Sequence, residues 1–456
     1  MTTFFLSRWI VPGLLAWWLS CAAVHAQEIP EPDPEPATVI HAGAVLAEPG
    51  EPSLGASTVV VRNGRVVSIE PGLQPASHYG ADSVLVDLSD RYLMPGLIDL
   101  HVHLAIIMDA DAATNASPAR LALATAGYAR KLLHAGVTTV RDVGDNSGVT
   151  LALRDAIASG QADGPRILAA GRIISRTGGH GAKRASPGDI PYEPAGCDGI
   201  ESCRRAVREN VEQGSDWIKV TVSGSGREAG GRADAAPILF DDEMHAVTEA
   251  ARQAGRSVAA HAHSTAAINL ALASGARTIE HGTYFDAESV RLFKEANAFL
   301  VPTAFVARFV RSRLEMFAGG TDGRPGDDLR AWADAAVAGP GRAWRAGIPL
   351  GLGTDGGPSF EPTATAEEVG LYVDGGVPAG AAIKAATANN ADILGMGHQL
   401  GRIRPGYIAD LIAVEGDPSV DVKRLQRVSF VMREGRIHRH ETGRTSPPAT
   451  PLPAKQ

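Results

Sequence analysis

The chain has 456 residues, 44% of them hydrophobic and 21% charged, with a formal net charge of −8. That length can bury a large core and calls for more than one unit, or one barrel with an appendage. The acidic balance, with lysines and arginines scattered rather than clustered, argues against nucleic acid as a partner.

Residues 1–26 read as an export signal, with Arg8 in the n-region, an apolar run from Ile10 to Leu19, and a small-residue cleavage site at Val24, His25 and Ala26. The apolar run is broken by Pro12 and is too short for a membrane span, so no stable span is expected. Cleavage near Ala26 would leave a periplasmic or secreted protein. Lipoprotein processing at Cys21 is the lesser alternative, because Trp18, Leu19 and Ser20 match a lipobox poorly.

A Pro-rich linker over 27–36 leads into a β-rich segment over 37–93, in which Asn63 and Gly64 join two β-branched runs as a hairpin turn. Residues 94–397 alternate short apolar strands with amphipathic helices. One helix opens at Ser117 and Pro118 and closes at Gly136. The candidate strands are "GLIDLHVHL", "VTTVRDVG", "RILAAG", "WIKVTVSG", "SVAAHAH", "TIEHGT", "FLVPTA" and "IPLGLGTD". Eight β/α units over about 300 residues suit a TIM (β/α)8 barrel, while an open doubly wound sheet lacks its Gly-rich dinucleotide turn here.

With the signal removed, Cys197 and Cys203 remain, and an even pair in an exported protein suggests a disulfide. Residues 398–440 return to β pattern, with Glu434 and Gly435 as a second hairpin turn. The expected fold class is therefore α/β, a (β/α)8 barrel with a small β-sandwich built from both chain ends. The Pro-, Thr- and Ser-rich tail over 441–456 has the composition of disorder.

In a TIM barrel the chemistry sits at the C-terminal ends of the strands, and polar residues fall there. His101 and His103 are two apart at the end of the first strand, so alternation points both to one face. By itself His-x-His is equally well two satisfied core histidines. His261 and His263 end the fifth strand, His281 the sixth, and Asp355 the eighth. Imidazoles and a carboxylate on four strand ends argue for metal. Lys219 stands in the middle of the fourth strand, where a lysine is almost never buried unless paired and where burial lowers its pKa. A neutral amine there can add carbon dioxide and become a carbamate, an anionic ligand able to bridge two cations. The competing reading is a lysine paired with a carboxylate.

The set "PGLIDLHVHL", "DWIKVTVSG", "HAH", "IEHGT" and "GLGTDGG" resembles the amidohydrolase superfamily in its binuclear, carboxylated-lysine form. "TGGHG" and "IEHGTYFD" are similar to a group of dipeptidases and carboxypeptidases acting on Xaa-Pro or Xaa-basic dipeptides, and to secreted bacterial amidases that release phenylalanine from ochratoxin-type compounds. The resemblance implies two divalent ions, zinc before manganese or cobalt. His101, His103 and Asp355 would hold one, His261 and His281 the other, and carboxylated Lys219 would bridge them. A shifted register would exchange His261 and His263.

Two such ions lower the pKa of a shared water and polarise a carbonyl. The resemblance then makes Asp355 general base and acid, and His180 a catalytic contact to the developing oxyanion. His180, His263 and Tyr284 are the candidate substrate contacts, for a small-molecule amide or dipeptide. Arg141 reads as structural, and Arg308, Arg311 and Arg313 as a solvated face or an attractor for an acidic group. A lactonase or phosphotriesterase could use the same centre. A mononuclear deaminase would not need Lys219, and a non-catalytic relative would not need every ligand position filled. A homo-oligomer is compatible with the sequence.

Overall fold

The structure is a computed structural model that describes residues 36–106, 117–181, 195–318 and 325–441. The export signal, all but one residue of the Pro-rich linker, and the tail beyond Glu441 fall outside these residues. No helix among the described residues is long and apolar enough to cross a membrane.

Four strands open the described chain: β1 (Thr38–Val45), β2 (Ser57–Arg62), β3 (Arg65–Pro71) and β4 (Val84–Pro95). Asn63 and Gly64 join β2 to β3 with φ of 48° and 73°, the paired positive values that a two-residue hairpin turn demands and that Asn-Gly supplies cheaply. The parallel strands follow: β5 (Leu97–Val102), β6 (Val137–Asp142), β7 (Arg166–Ala169), β8 (Ile174–Ser175), β9 (Ala195–Gly196), β10 (Trp217–Thr221), β11 (Ser257–Ala262), β12 (Thr278–His281) and β13 (Phe299–Val301). They form two arcs, β5-β6-β7 and β13-β12-β11-β10-β8-β9. The chain then returns through β14 (Leu411–Val414), β15 (Phe430–Arg433) and β16 (Arg436–His440).

Strands from both chain ends enter one seven-stranded sheet of order β16-β15-β14-β4-β1-β2-β3. Ile40, Val59, Leu93, Leu411, Phe430 and Met432 share one of its buried clusters, so strands from the two chain ends bury apolar surface together.

The first arc reaches the second through the amide of Asp216, which donates to Ala169 O at 2.8 Å. At the opposite side, "IPLGLGTD" differs from expectation. It bonds to both β13 and β5 through the backbone, as in Gly351 N to Leu300 O at 2.9 Å and Leu100 N to Leu352 O at 3.0 Å, with single parallel bridges at Leu350–Leu300 and, just beyond it, Gly356–Val102 in place of an unbroken ladder. Glycines weaken a strand and permit close backbone approach. At Gly353 a Cβ would stand 2.7 Å from the His101 backbone nitrogen, so glycine there permits close approach to the strand that carries the site.

The first expected helix is present as Pro118–His134, capped by Ser117 Oγ accepting from the Arg120 amide at 3.2 Å, with Pro118 in its first turn. The segment 304–317, which lacks obvious strand or helix punctuation, holds helix Ala304–Arg311 and a short turn Leu314–Phe317 rather than a bare loop. Cys197 and Cys203 are joined by a disulfide.

Candidate active site

His101 is the last but one residue of β5 and His103 follows the strand, and both reach the same cavity because residues two apart share a face. Lys219 is the central residue of β10, in register with Ala259 of β11, and is 2% exposed. Among the described residues its amine makes neither a salt bridge nor a side-chain hydrogen bond. The reading of Lys219 as a lysine paired with a carboxylate therefore loses its partner.

β12 shows how backbone strain completes the cluster. Alternation would place Glu280 and His281 on opposite faces. Instead His281 has φ of 69°, a conformation uncommon outside glycine, and both side chains turn inward. Asp355 (φ 56°) and Thr303 (φ 55°) are strained in the same way. Three strained non-glycine residues in one site mark a place where the fold holds side chains against local preference.

The rings of His101 and His281 lie 5.0 Å apart, those of His261 and His281 4.6 Å, and those of His263 and His281 4.7 Å. Asp355 Oδ1 stands 3.5 Å from His101 Nε2 and 3.4 Å from His103 Nε2. Two donor triads gather their ligand atoms within 4.8 Å: His261 with His263 and His281, and His101 with His281 and Asp355. These residues could hold metal.

Each histidine also has one nitrogen fixed from outside the cluster. His101 Nδ1 meets Glu280 Oε2 at 2.7 Å, His103 Nδ1 meets Gly144 O at 3.0 Å, and His281 Nδ1 meets Thr303 Oγ1 at 2.7 Å. His261 instead engages Gly224 O through Nε2 at 3.2 Å. His101 Nε2 is buried without a hydrogen-bond partner among the described residues and faces the donor cluster.

Electrostatics agree with a cation-binding donor set. Burial, with the Lys219 charge next, holds His103 at about 4 and His101 well below the ordinary imidazole value. Burial does the same to His261 and His281, so these rings are neutral and keep a lone pair at pH 7. Burial lowers Lys219 to about 8 against the pull of Glu280 and Asp355, and raises Asp355 to about 6 against Lys219 and Arg227.

The cavity above these groups holds about 310 Å³. His180 lies on its wall, with its ring 4.5 Å from His261 and its carbonyl accepting from Thr221 Oγ1 at 2.9 Å. It is therefore not an exposed loop residue. Gly178 and Gly181 flank it with φ of 69° and 81°, conformations that only glycine adopts without strain. Burial lowers His180 to about 4, opposed by Glu228. His263 also lines the cavity. Tyr284 does not; it packs instead against Ala307, Val310 and Trp332.

Sequence reading missed several members of the site. Arg141 is fully buried and ion-paired to Glu280 at 2.8 Å. It also donates to Leu100 O at 2.7 Å and lies 4.4 Å over Trp217. The visible signal for Glu280 was a carboxylate inside an apolar strand. Trp332 reaches His263 and Arg227 lines the cavity, and no local pattern announced either. Arg308 and Arg311 pair with Glu367 and Asp334 on an exposed face.

These residues form a donor cluster that could hold metal, at the ends of parallel strands. Residues 92–438 match the model of the amidohydrolase family, and the chain belongs to that family. The ochratoxinase of Aspergillus niger is 32% identical over 429 residues, covering 88% of this chain and 86% of its own. A solved Xaa-Pro dipeptidase with methionine bound in its active site superposes with a TM-score of 0.79 at 31% identity, covering 88% of this chain and 99% of its own. A prolidase complexed with N-methylphosphonate-L-proline gives 0.78 at 27% identity, covering 89% and 100%.

Proposed function

We propose that this protein is a binuclear metal-dependent amidohydrolase that cleaves the amide bond of N-acyl amino acids or dipeptides, consuming water and releasing a carboxylate and an amine. The observation that carries the reading is Lys219, a buried amine with no salt bridge among the described residues, amid neutral histidines and Asp355. Carboxylation would turn that costly group into an anionic bridging ligand.

The fixed nitrogens support a ligand assignment. His101, His103 and His281 would each offer Nε2, and His261 would offer Nδ1. His263 differs. Trp332 Nε1 can only donate, and it faces His263 Nδ1 at 3.3 Å, beside Thr283 Oγ1 at 2.8 Å. Both contacts are satisfied when Nδ1 accepts, which leaves the ring proton on Nε2. His263 is then a donor to substrate rather than a metal ligand. Imidazole and carboxylate donors suit zinc, with manganese or cobalt as substitutes.

Two divalent cations, when bound, supply a water of lowered pKa and a Lewis acid for the carbonyl oxygen. Asp355 keeps 24% of its side chain open to the cavity. It takes the proton released on attack and returns it to the leaving nitrogen, as general base and then acid. That return is required because an amide nitrogen leaves poorly as an anion. His180 presents its N–H to the developing oxyanion.

The backbone bonds between the arcs support a closed (β/α)8 barrel over 94–397, with the strands of 37–93 and 398–440 forming the attached β unit. The Cys197–Cys203 disulfide supports export, since the cytosol keeps thiols reduced.

The experiment is turnover by metal-loaded protein of N-acyl amino acids, dipeptides, a lactone and a phosphotriester. Release of free amino acid from the amides supports the reading. Ester or phosphotriester cleavage without amide cleavage would replace it with the lactonase or phosphotriesterase alternative.

A further inference from the structure

Helix Ala304–Arg311, which follows β13, begins irregularly. The amides of Ala304 and Phe305 have no acceptor within the helix, as at any helix start. A cap residue ordinarily has extended backbone and turns a side-chain oxygen onto such amides. Thr303 holds the cap position yet makes no such bond, and its φ of 55° and ψ of 47° are left-handed. For a β-branched residue that conformation is a genuine outlier, and it persists only where the surroundings impose it.

The Thr303 hydroxyl is engaged elsewhere. It donates to Pro302 O at 2.7 Å, and the same Oγ1 lies 2.7 Å from His281 Nδ1. With its one proton given to the carbonyl, Oγ1 can only accept from the imidazole. The His281 ring proton is thereby fixed on Nδ1, and Nε2 keeps its lone pair.

A second helix supplies the missing cap. Glu368, on helix Ala364–Asp374, is 0% exposed and accepts from the Ala304 amide at 2.9 Å and from the Phe305 amide at 2.5 Å, one through each carboxylate oxygen. The same helix is tied to β5, because Thr365 Oγ1 donates to Asp99 Oδ2 at 2.8 Å. Its neighbour Glu367 pairs instead with Arg308 on the exposed face.

We infer that Glu368 is a positioning residue for His281. By holding the two helix amides it releases the Thr303 hydroxyl from capping, and it keeps Thr303 in the left-handed turn that aims Oγ1 at the imidazole. The tautomer is a property of the folded chain alone. Its consequence, Nε2 as the metal-facing nitrogen, rests on the metal-dependent reading.

The test measures zinc affinity by chelator competition and the His281 tautomer by side-chain ¹H–¹⁵N spectra of metal-stripped protein, the ring being assigned by its loss in His281→Gln. Thr303→Val and Glu368→Leu should each bind zinc about 10–100-fold more weakly, the usual cost of losing the group that orients a ligating histidine. Thr303→Ser keeps the hydroxyl and should restore wild-type affinity, and Glu368→Gln, with one acceptor oxygen, should fall between. The double variant Thr303→Val/Glu368→Leu should bind no more weakly than Thr303→Val, because residues acting as one chain do not add. The spectra should show the Nδ1–H form in wild type and Thr303→Ser, and a mixture of forms in Thr303→Val and Glu368→Leu. Wild-type tautomer and affinity in Glu368→Leu, or additive losses in the double variant, overturn the inference. A wild type that binds no zinc would sink the metal reading alone. The spectra still decide the positioning role then: Nδ1–H lost in Glu368→Leu supports it, and Nδ1–H retained overturns it. If Glu368→Leu does not fold, Glu368→Gln decides in the same way.

Discussion

Replacing Arg141 by methionine probes the support beneath the site. Its guanidinium and the Glu280 carboxylate are both 0% exposed and 2.8 Å apart. Glu280 in turn grips His101 Nδ1 at 2.7 Å. Methionine keeps apolar contact with Trp217 but strands the carboxylate and the Leu100 carbonyl, which accepts from Arg141 at 2.7 Å. Removing one partner of a buried ion pair costs about 3–5 kcal/mol. At about 1 °C per kcal/mol for a chain of this length, the melting temperature should fall by about 3–6 °C. The assay is thermal unfolding in the presence of a chelator, so that metal loss does not contribute. The double variant Arg141→Met/Glu280→Leu removes both charges and should recover at least about 2 kcal/mol, since apolar replacement of a buried pair is often neutral. Its metal affinity should stay about 10–100-fold low, because His101 has lost the group that orients it. A single variant that loses less than about 1 kcal/mol, or a double variant as unstable as the sum of the singles, would refute this reasoning.

Two further predictions concern the metal-stripped protein and the glycine-rich segment. Burial lowers Lys219 to about 8 from 10.5, so between these values the unfolded chain binds a proton that the folded chain does not. Stability of the stripped protein should therefore rise with pH from about 8 to 10.5, by about 3 kcal/mol. Urea titrations should lack that rise in Lys219→Met, and a flat wild-type curve would contradict the assigned state of the amine. Gly353→Ala would drive a Cβ to 2.7 Å from the His101 backbone nitrogen. It should cost about 1–3 kcal/mol and impair metal binding, and a fully loaded, equally stable variant would count against the close packing described.

The sequence made the strand-end histidines legible because His-x-His and alternation concern neighbours two residues apart, where the physics is local. Lys219 was legible for the complementary reason, that a lysine in an apolar strand breaks a strong rule. The hairpin turns at Asn63–Gly64 and Glu434–Gly435 also followed from local chemistry. Glu280 was hidden because alternation assigns it the face opposite His281, and the positive φ that overrides this arises from tertiary packing. The eighth strand pairs with both neighbours but irregularly, and its glycines also admit close contact with His101. Trp332 was beyond reach because it meets His263 across a large sequence separation, and Arg227 and Val306 because they sit on segments after β10 and β13 whose path local pattern does not fix. Tyr284, placed near the substrate by its proximity to His281 in sequence, packs with Trp332 instead.

The central claim is that Lys219 is carboxylated and bridges two metals. It is tested most directly by metal analysis of wild type and Lys219→Ala, with ¹³C NMR of the wild type loaded under ¹³C-labelled carbon dioxide. About two metals per chain, a carbamate signal, and a variant deficient in metal and turnover are the predicted result. A Lys219→Ala protein that retains both metals and full turnover would contradict it.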